Sequence, residues 1–460
     1  MQLDADACYR AVKTRDARFD GRFFTGVAST GIYCRPICPA PTPQRANCRF
    51  FPCAAAAQEA GFRPCLRCRP EVAPGMPAWN GSSTTIARAM RLINDGALDD
   101  GSVERLAERL GIGGRHLRRL FDQHIGASPI SVALSRRFLF AKKLLGETAL
   151  PITDIAYASG FSSIRRFNDA MQSAYGRSPR ELRANASQAQ GPAISLTLPF
   201  RPPYNWSALV GFLGPRAIPG VEEASATKYR RTLPGGWVEV QPAPGENHLV
   251  ATFQIGNIRD LAQLAARLHR LFDTAAAVQE IEDHLAKDER LRHTVRANAG
   301  MRVPGAWDPF EVAVRAILGQ QVTVKGATTL AGRLVERFGE PTENGYLFPS
   351  PRALESAGLA SIGLPRARAE ALRMVARAFA APKPPESADE LRDLPGVGDW
   401  TAQYVAMRAF GEPDALPASD LGLVRAVGSD VAARAERWRP WRAYAAMHLW
   451  MEHSETGALQ

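Results

Sequence analysis

A multidomain α+β fold is predicted, on three observations. All seven cysteines fall within the first 68 residues, which marks off a small thiol-rich unit at the front. Apolar residues then recur at helical spacing between two breaks in the pattern. After Pro192, short alternating stretches give way to a second, longer helical region. At 460 residues the chain can hold roughly two to four domains, each with its own core. The expected units are 1–78, 84–185, 193–305 and 306–455.

The net charge of +11 is unevenly spread. Residues 1–80 carry 11 Lys/Arg against 6 Asp/Glu, residues 81–190 carry 16 against 10, and residues 191–460 carry 30 against 30. The excess is confined to the front, which suits a surface built to meet a polyanion, or simply a basic solvated face. Neither a signal-peptide core nor a run of membrane-spanning length is present, so a cytoplasmic protein is expected. Two linkers are expected, Pro70 to Ser83 and Ala184 to Pro192, with a short break at Ala381–Pro385 that joins helices.

Within the front unit, Cys34-x3-Cys38 and Cys65-x2-Cys68 are two close pairs with 26 residues between them. Each pair can place two sulfurs on one metal, and together they close a tetrahedral four-cysteine zinc site. A unit of this size buries little core, and the metal supplies the missing folding energy. A redox pair at Cys65/Cys68, or unrelated buried thiols, are the alternatives. Cys8, Cys48 and Cys53 are read as bystanders.

The stretches Thr30-Gly-Ile-Tyr-Cys34-Arg-Pro-Ile-Cys38 and Gly61-Phe-Arg-Pro-Cys65-Leu-Arg-Cys68 resemble the N-terminal domain of the Ada methylation-response family, over residues 23–71. The resemblance implies that Cys34, a zinc thiolate, irreversibly takes a methyl group from a methyl phosphotriester in DNA. Loss of one negative charge facing DNA then tightens binding. By the same resemblance Thr30 and Arg63 contact the DNA backbone. The family's basic residues after the second cysteine are replaced by Pro39 and Pro41, leaving Arg35 and Arg45 to substitute.

Residues Val103–His124 predict a helix, a turn at Gly111–Gly114 and a second helix bearing Arg115, His116, Arg118 and Arg119. Residues Pro151–Tyr175 repeat this plan, with a turn at Ser159-Gly160-Phe161 followed by Ser162, Ser163, Arg165 and Arg166. Polar and basic residues at the start of each second helix stand where a recognition helix meets base edges and phosphates. Periodicity alone also allows an unrelated helical bundle. The motif Ile155-Ala-Tyr-Ala-Ser-Gly-Phe161, with Phe167 and Gly176-Arg-Ser-Pro179-Arg-Glu-Leu182-Arg, resembles AraC/XylS-type activators across Thr84–Arg183. That implies two recognition helices one duplex turn apart.

Leu394-Pro-Gly-Val-Gly398-Asp-Trp-Thr-Ala402 has the form of a helix-hairpin-helix, in which Gly396 and Gly398 expose backbone N–H groups to a DNA phosphate; such a turn also serves as an ordinary connector. Asp420 follows Trp400 by 20 residues. With Phe310-Glu-Val-Ala-Val-Arg-Ala-Ile-Leu-Gly-Gln-Gln-Val322 and Trp438-Arg-Pro-Trp-Arg-Ala-Tyr444…His448-Leu-Trp450, this unit resembles 3-methyladenine DNA glycosylase II of the AlkA type across Ala193–Trp450. The resemblance implies excision of a flipped base, with Asp420 stabilising the sugar cation or activating water. Trp400, Tyr404 and Trp450 would stack on the cationic base. Asp393, Asp399 and Asp414 are read as helix caps. No Lys lies between Gly398 and Asp420 and no Cys follows Cys68, so a monofunctional enzyme without an iron–sulfur cluster is expected. Gln321 stands where the family places an apolar wedge.

The fold expected in full is a small zinc-stabilised domain, an all-α double helix-turn-helix domain, and a helix-hairpin-helix glycosylase with a β-containing N-terminal subdomain. The expected function is alkylation sensing through Cys34, transcriptional activation and base excision through Asp420. Alkylated DNA, promoter DNA and RNA polymerase are the expected partners, at the bacterial nucleoid. The Pro-Cys-His-Arg methyl-transfer motif is absent, so O6-methylguanine repair is not expected. The rival readings are a regulator whose rear half binds damaged DNA without cutting, and an enzyme whose front half only docks it on DNA.

Overall fold

The computed structural model describes residues 4–76, 84–183 and 193–455. Residues 77–83 of the first expected linker and the whole of Ala184–Pro192 lie outside the described residues.

The thiol-rich unit is built on strands β1 Phe24–Val27, β2 Ile32–Cys34, β3 Cys48–Phe51 and β4 Arg63–Pro64, in the sheet order β3-β1-β2-β4. β1 pairs antiparallel with β2 and β3, while β2 and β4 run parallel. A Cβ on Gly26 would lie 2.7 Å from the Phe51 ring and 3.0 Å from the Phe62 ring, so only glycine lets these rings close over the sheet. Phe24, Tyr33, Phe51, Phe62 and Ala54–Ala57 share one core with Ile86, Leu106, Leu117, Phe121 and Ile125 of the following helices. Cys53 is structural here, its Sγ accepting the Ala56 N–H at 3.4 Å at the start of helix Ala54–Glu59.

The first of the two expected DNA readers consists of helices Val103–Arg109 and Gly114–Ile125, the second of Ile152–Ala158 and Ile164–Tyr175, joined by the long helix Pro129–Glu147. Their punctuation repeats. Gly126 and Gly176 end the two recognition helices in left-handed conformation, φ 69° and 66°, as C-terminal glycines do. Each is followed two residues on by a Ser-Pro pair in which Ser128 or Ser178 caps the next helix. That internal echo makes the readers two copies of one design.

Strands β5 Ile194–Pro199, β6 Glu222–Ala224, β7 Tyr229–Leu233, β8 Gly236–Pro242 and β9 His248–Gln254 form an antiparallel sheet in the order β5-β9-β8-β7-β6. Leu196, Leu198, Val238, Val240, Leu249, Ala251 and Phe253 are buried along it, which is the alternation a one-faced sheet requires. The chain then turns helical, as expected for the region that follows the strands, with one exception. A hairpin of β10 Glu340–Thr342 and β11 Gly345–Leu347 interrupts it. Pro341 cannot donate in a helix interior, and Thr342 faces Gly345 across a two-residue turn of Glu343 and Asn344.

The front and rear halves pack on each other. Phe138, Leu144, Ile155 and Phe167 of the readers belong to the same core as Leu196 and Leu198 of β5. Lys143 donates to Thr197 Oγ1 at 2.9 Å. Arg109 pairs with the buried Glu386 at 2.5 Å, and Arg88 and Arg91 lie 3.9 Å from its other oxygen. Arg91 also covers the Phe410 ring at 4.7 Å. Among the described residues no helix is long and apolar enough to cross a membrane.

Candidate functional site

Cys34 ends β2, and Cys38 follows in the turn after it; Cys65 and Cys68 come directly after β4, the neighbour of β2 in the sheet. The pairing thus delivers both cysteine pairs to one place. The four Sγ atoms lie within 4.8 Å of one another and all four cysteines are free thiols. Sulfur contacts led by Cys34 lower the Cys38 thiol to about 7 and drive Cys65 far below the usual thiol range, while contacts led by Cys38 raise Cys34. Four soft donors that crowd one another, with no carboxylate or imidazole among them, fit a tetrahedral zinc ion. The backbone N–H of Arg35 donates to Cys68 Sγ at 3.3 Å, a contact that stabilises negative sulfur.

Thr30 is exposed in the turn between β1 and β2, and Arg63 is exposed on β4. The Arg63 N–H donates to the Gly31 carbonyl at 2.8 Å, which brings these two residues to one edge of the module. Arg35 corrects the sequence reading. It is buried, 9 % exposed, its Nε donating to Asp20 Oδ1 at 2.8 Å and its Nη1 to the Cys68 carbonyl at 3.1 Å. An inward guanidinium with its donors filled is not free for phosphate. Arg45 stays partly open, over the rings of Tyr9 and Phe50.

In the readers, Arg115, His116, Arg118 and Arg119 are exposed on one recognition helix and Arg165 and Arg166 on the other. Ser163 caps the second helix, its Oγ accepting the Arg166 N–H at 3.3 Å, and Ser162 precedes it in the turn. Arg118 is drawn aside by Glu104 at 2.5 Å, an exposed pair that a phosphate can displace.

The second cluster surrounds Asp420. This residue is the N-cap of helix Leu421–Val427, Oδ1 accepting from Gly422 N at 2.9 Å and Leu423 N at 3.2 Å. Two indoles add to these. Trp450 Nε1 donates to Oδ1 at 2.9 Å and Trp400 Nε1 to Oδ2 at 3.0 Å. Oδ1 is therefore filled by three donors, and Oδ2, with one, keeps lone-pair capacity. Trp400 and Tyr404 stack at 5.2 Å with an 8° tilt, and Trp450 lies 6.3 Å from Tyr404. The three rings and the carboxylate come together as one wall. The cap role given to other aspartates is corrected: Asp399 instead pairs with Arg392, and Asp414 with Arg439 and Arg442, while Asp393 contributes only its backbone to a helix end.

Three residues of this wall escaped the sequence reading. Phe212 stacks on Trp450 at 6.2 Å, Arg216 lies 3.9 Å over Phe212, and Arg408 Nη1 donates to the Tyr404 hydroxyl at 2.6 Å. Burial works to raise the Tyr404 phenol, but the Arg408 and Arg216 guanidiniums outweigh it and hold it below its ordinary value. Arg408 sits in a π-helical turn, Ala406–Phe410, and the i, i+4 spacing from Tyr404 was the available signal.

At the hairpin, Gly396 has φ 82° and a Cβ there would meet Ala371 at 2.4 Å; Gly398 precedes helix Asp399–Val405 with open space around it. Gln321 is exposed with a left-handed φ of 57°, in the turn between helices Pro309–Leu318 and Val324–Phe338.

Four family profiles match successive parts of the chain. The metal binding domain of Ada covers residues 7–71, a helix-turn-helix domain 106–185, the AlkA N-terminal domain 195–308, and the HhH-GPD superfamily of base excision DNA repair proteins 314–437. A Mycobacterium tuberculosis protein, "Probable bifunctional transcriptional activator/DNA repair enzyme AlkA", is 42% identical over 98% of this chain and 98% of its own. The chain belongs to the AlkA family of bifunctional activator/repair proteins. Within this family the front and rear halves also have separate relatives. DNA-3-methyladenine glycosylase 2 of Escherichia coli is 36% identical over 55% of this chain and 96% of its own. The Escherichia coli protein "Bifunctional transcriptional activator/DNA repair enzyme Ada" is 38% identical over 28% of this chain and 34% of its own. This AlkA-family chain therefore carries the sulfur cluster and the Asp420 wall in one polypeptide.

Proposed function

We propose that the chain senses DNA alkylation at Cys34 and excises alkylated bases such as 3-methyladenine at Asp420, joining a transcriptional activator to a DNA glycosylase. Sensing is assigned to 1–78, promoter reading to 84–185 and base excision to 193–455. The observation that carries the reading is the convergence of the Trp400 and Trp450 indole N–H groups on the Asp420 carboxylate, beside a stack of electron-rich rings.

Cys34, Cys38, Cys65 and Cys68 would hold zinc, which would keep the sulfurs deprotonated and nucleophilic at neutral pH. Cys34 Sγ attacks the methyl carbon of a methyl phosphotriester. The S–C bond forms, the C–O bond breaks, and the oxygen keeps the electron pair as an ordinary phosphodiester anion. Thr30 and Arg63 hold the DNA backbone at this edge. Arg115, His116, Arg118 and Arg119, with Ser162, Ser163, Arg165 and Arg166, meet the promoter grooves. RNA polymerase is the partner recruited on activation.

In the rear half, Gly396 and Gly398 offer backbone N–H groups to a phosphate and Gln321 fills the space left by the flipped nucleotide. Trp400, Tyr404 and Trp450 stack on the cationic base, whose leaving takes the electrons of the glycosidic bond. Asp420, through Oδ2, stabilises the sugar cation and takes the proton of the incoming water. With no lysine between Gly398 and Asp420, no amine of that stretch forms a Schiff base and the backbone is left uncut.

The test is release of free 3-methyladenine from alkylated duplex by the intact protein and by Asp420→Asn, with methyl uptake measured in Cys34→Ser. Release that persists in Asp420→Asn, or uptake that persists in Cys34→Ser, removes the corresponding assignment. Absence of release by the intact protein, on DNA that another glycosylase processes, would favour the non-cutting regulator.

A further inference from the structure

The buried Arg35 that is unavailable to DNA starts a relay of hydrogen bonds running from the sulfur cluster to the base pocket. Its guanidinium grips the Asp20 carboxylate, and its backbone N–H meets Cys68 Sγ. The Asp20 carbonyl accepts Arg201 Nε at 2.8 Å, although Arg201 belongs to the rear half, 181 residues away. Arg201 is 1 % exposed; it also donates to the Gly75 carbonyl at 2.7 Å and to the Ala275 carbonyl. One guanidinium therefore pins the thiol-rich module, the segment after it and the rear half together.

The next link is Arg302, also 1 % exposed. Its Nη2 donates to the carbonyls of Arg201 at 2.5 Å and Pro203 at 2.8 Å. Directly after it, the Pro304 and Gly305 carbonyls accept Arg408 Nε at 2.5 Å and Nη2 at 2.9 Å, and the Ala306 N–H donates to the Arg408 carbonyl at 2.8 Å. Arg408 holds the Tyr404 hydroxyl. The segment 302–306 is thus fastened at one end to Arg201, whose side chain reaches the front half, and at the other to the Arg408–Tyr404 pair. Because these donors are shut away from water, a change in charge at one end is poorly screened along the way.

We propose that the methylation state of Cys34 regulates the base pocket through this relay, with Arg201 as the positioning residue between the two halves. The proposal rests on the functional reading above. Methyl transfer turns one thiolate of the cluster into a neutral thioether and removes one negative charge beside Arg35. Asp20 then holds the guanidinium with less competition, which fixes the carbonyl that Arg201 uses. Segment 302–306 is steadied, and with it Arg408 and Tyr404. Damage detected by the front half thereby readies the rear half to cut.

The test is hydrogen exchange and base release by the intact protein before and after stoichiometric methylation of Cys34 on a duplex bearing methyl phosphotriesters. Turnover is read as kcat at saturating alkylated DNA, because a gain in DNA affinity alone would move KM. The expected result is slower exchange of amides 300–306 and 404–408 after methylation, with kcat raised about fivefold, the change that about 1 kcal/mol off the barrier makes. In Arg201→Met both responses disappear while methyl uptake is retained. Should Arg201→Met fail to fold, Asp20→Asn, which keeps the backbone carbonyl and loses the charge pairing with Arg35, is expected to lose them too. Methyl uptake and base release with unchanged exchange and kcat, or a response that survives in the folded variant, overturns the coupling alone. Absence of methyl on Cys34, or of released base, overturns the functional reading and the coupling with it.

Discussion

Trp400 Nε1 lies 3.0 Å from Asp420 Oδ2, so one ring serves the proposed base pocket twice, with its face toward Tyr404 and its edge on the carboxylate. The two functions separate in Trp400→Phe, which keeps an aromatic face and removes the N–H. A hydrogen bond to a charged group contributes about 1.5–3 kcal/mol, so single-turnover release of 3-methyladenine is expected to fall by about tenfold or more. Unchanged single-turnover release in Trp400→Phe would show that the indole edge has no part in holding the carboxylate.

Asp420 also caps a helix, and its two roles answer differently to substitution. Asn caps as well as Asp, whereas Ala forfeits about 1 kcal/mol of capping. Asp420→Asn is expected to keep its melting temperature and lose activity by about two orders of magnitude or more, as loss of transition-state electrostatics does. Asp420→Ala is expected to lose both. Calorimetry beside a release assay checks the pair, and equal destabilisation by the two variants would contradict it.

Burial raises the Asp273 carboxyl to about 6, against the pull of Arg302 and the hydrogen bond from Tyr444. The group ionises near 3.8 when unfolded and only near 6 when folded, so its proton favours the fold at low pH. That advantage is complete below about pH 4 and is lost as pH rises to about 6, by at most about 3 kcal/mol. Asp273→Asn is expected to gain stability relative to the native protein across this window. Urea unfolding at pH 4, 5, 6 and 7 measures it, and a parallel pair of curves would refute it.

Removal of zinc is expected to loosen the front of the molecule before the rear. The thiol-rich module is small and its two cysteine pairs sit at the ends of neighbouring strands, and metal binding supplies folding energy in such units. Chelation followed by hydrogen exchange should expose the amides of β1 to β4 while those of β5 to β9 stay protected. Loss of protection in both sheets at once would show that the halves unfold as one.

Much of this was legible in the sequence because the signals are local. The spacing of Cys34, Cys38, Cys65 and Cys68 states a four-sulfur site without reference to anything distant. The Gly396–Asp420 stretch carries its own turn, ring and carboxylate. Phe212 and Arg216 were not legible, because nearly 200 residues separate them from Trp400 and only the packed fold makes them neighbours. Arg35 was misread for a related reason. Its type and position suggested DNA, and nothing local to it reveals that Asp20, in an irregular segment, waits inside. Helical and strand periodicity likewise shows which face is apolar but not what covers it, so the docking of front on rear half lay beyond reach.

Phe138, Leu144 and Ile155 of the readers share a core with Leu196 and Leu198 of the rear half, and that bears on how such a protein can be divided in evolution. A gene split between the two halves would free two products, each with a newly wetted apolar face and, in the rear one, an Arg201 stripped of two of its three acceptors. Fission would have to be accompanied by surface substitutions before either product was soluble by itself. Fusion, once the interface had formed, acts as a ratchet.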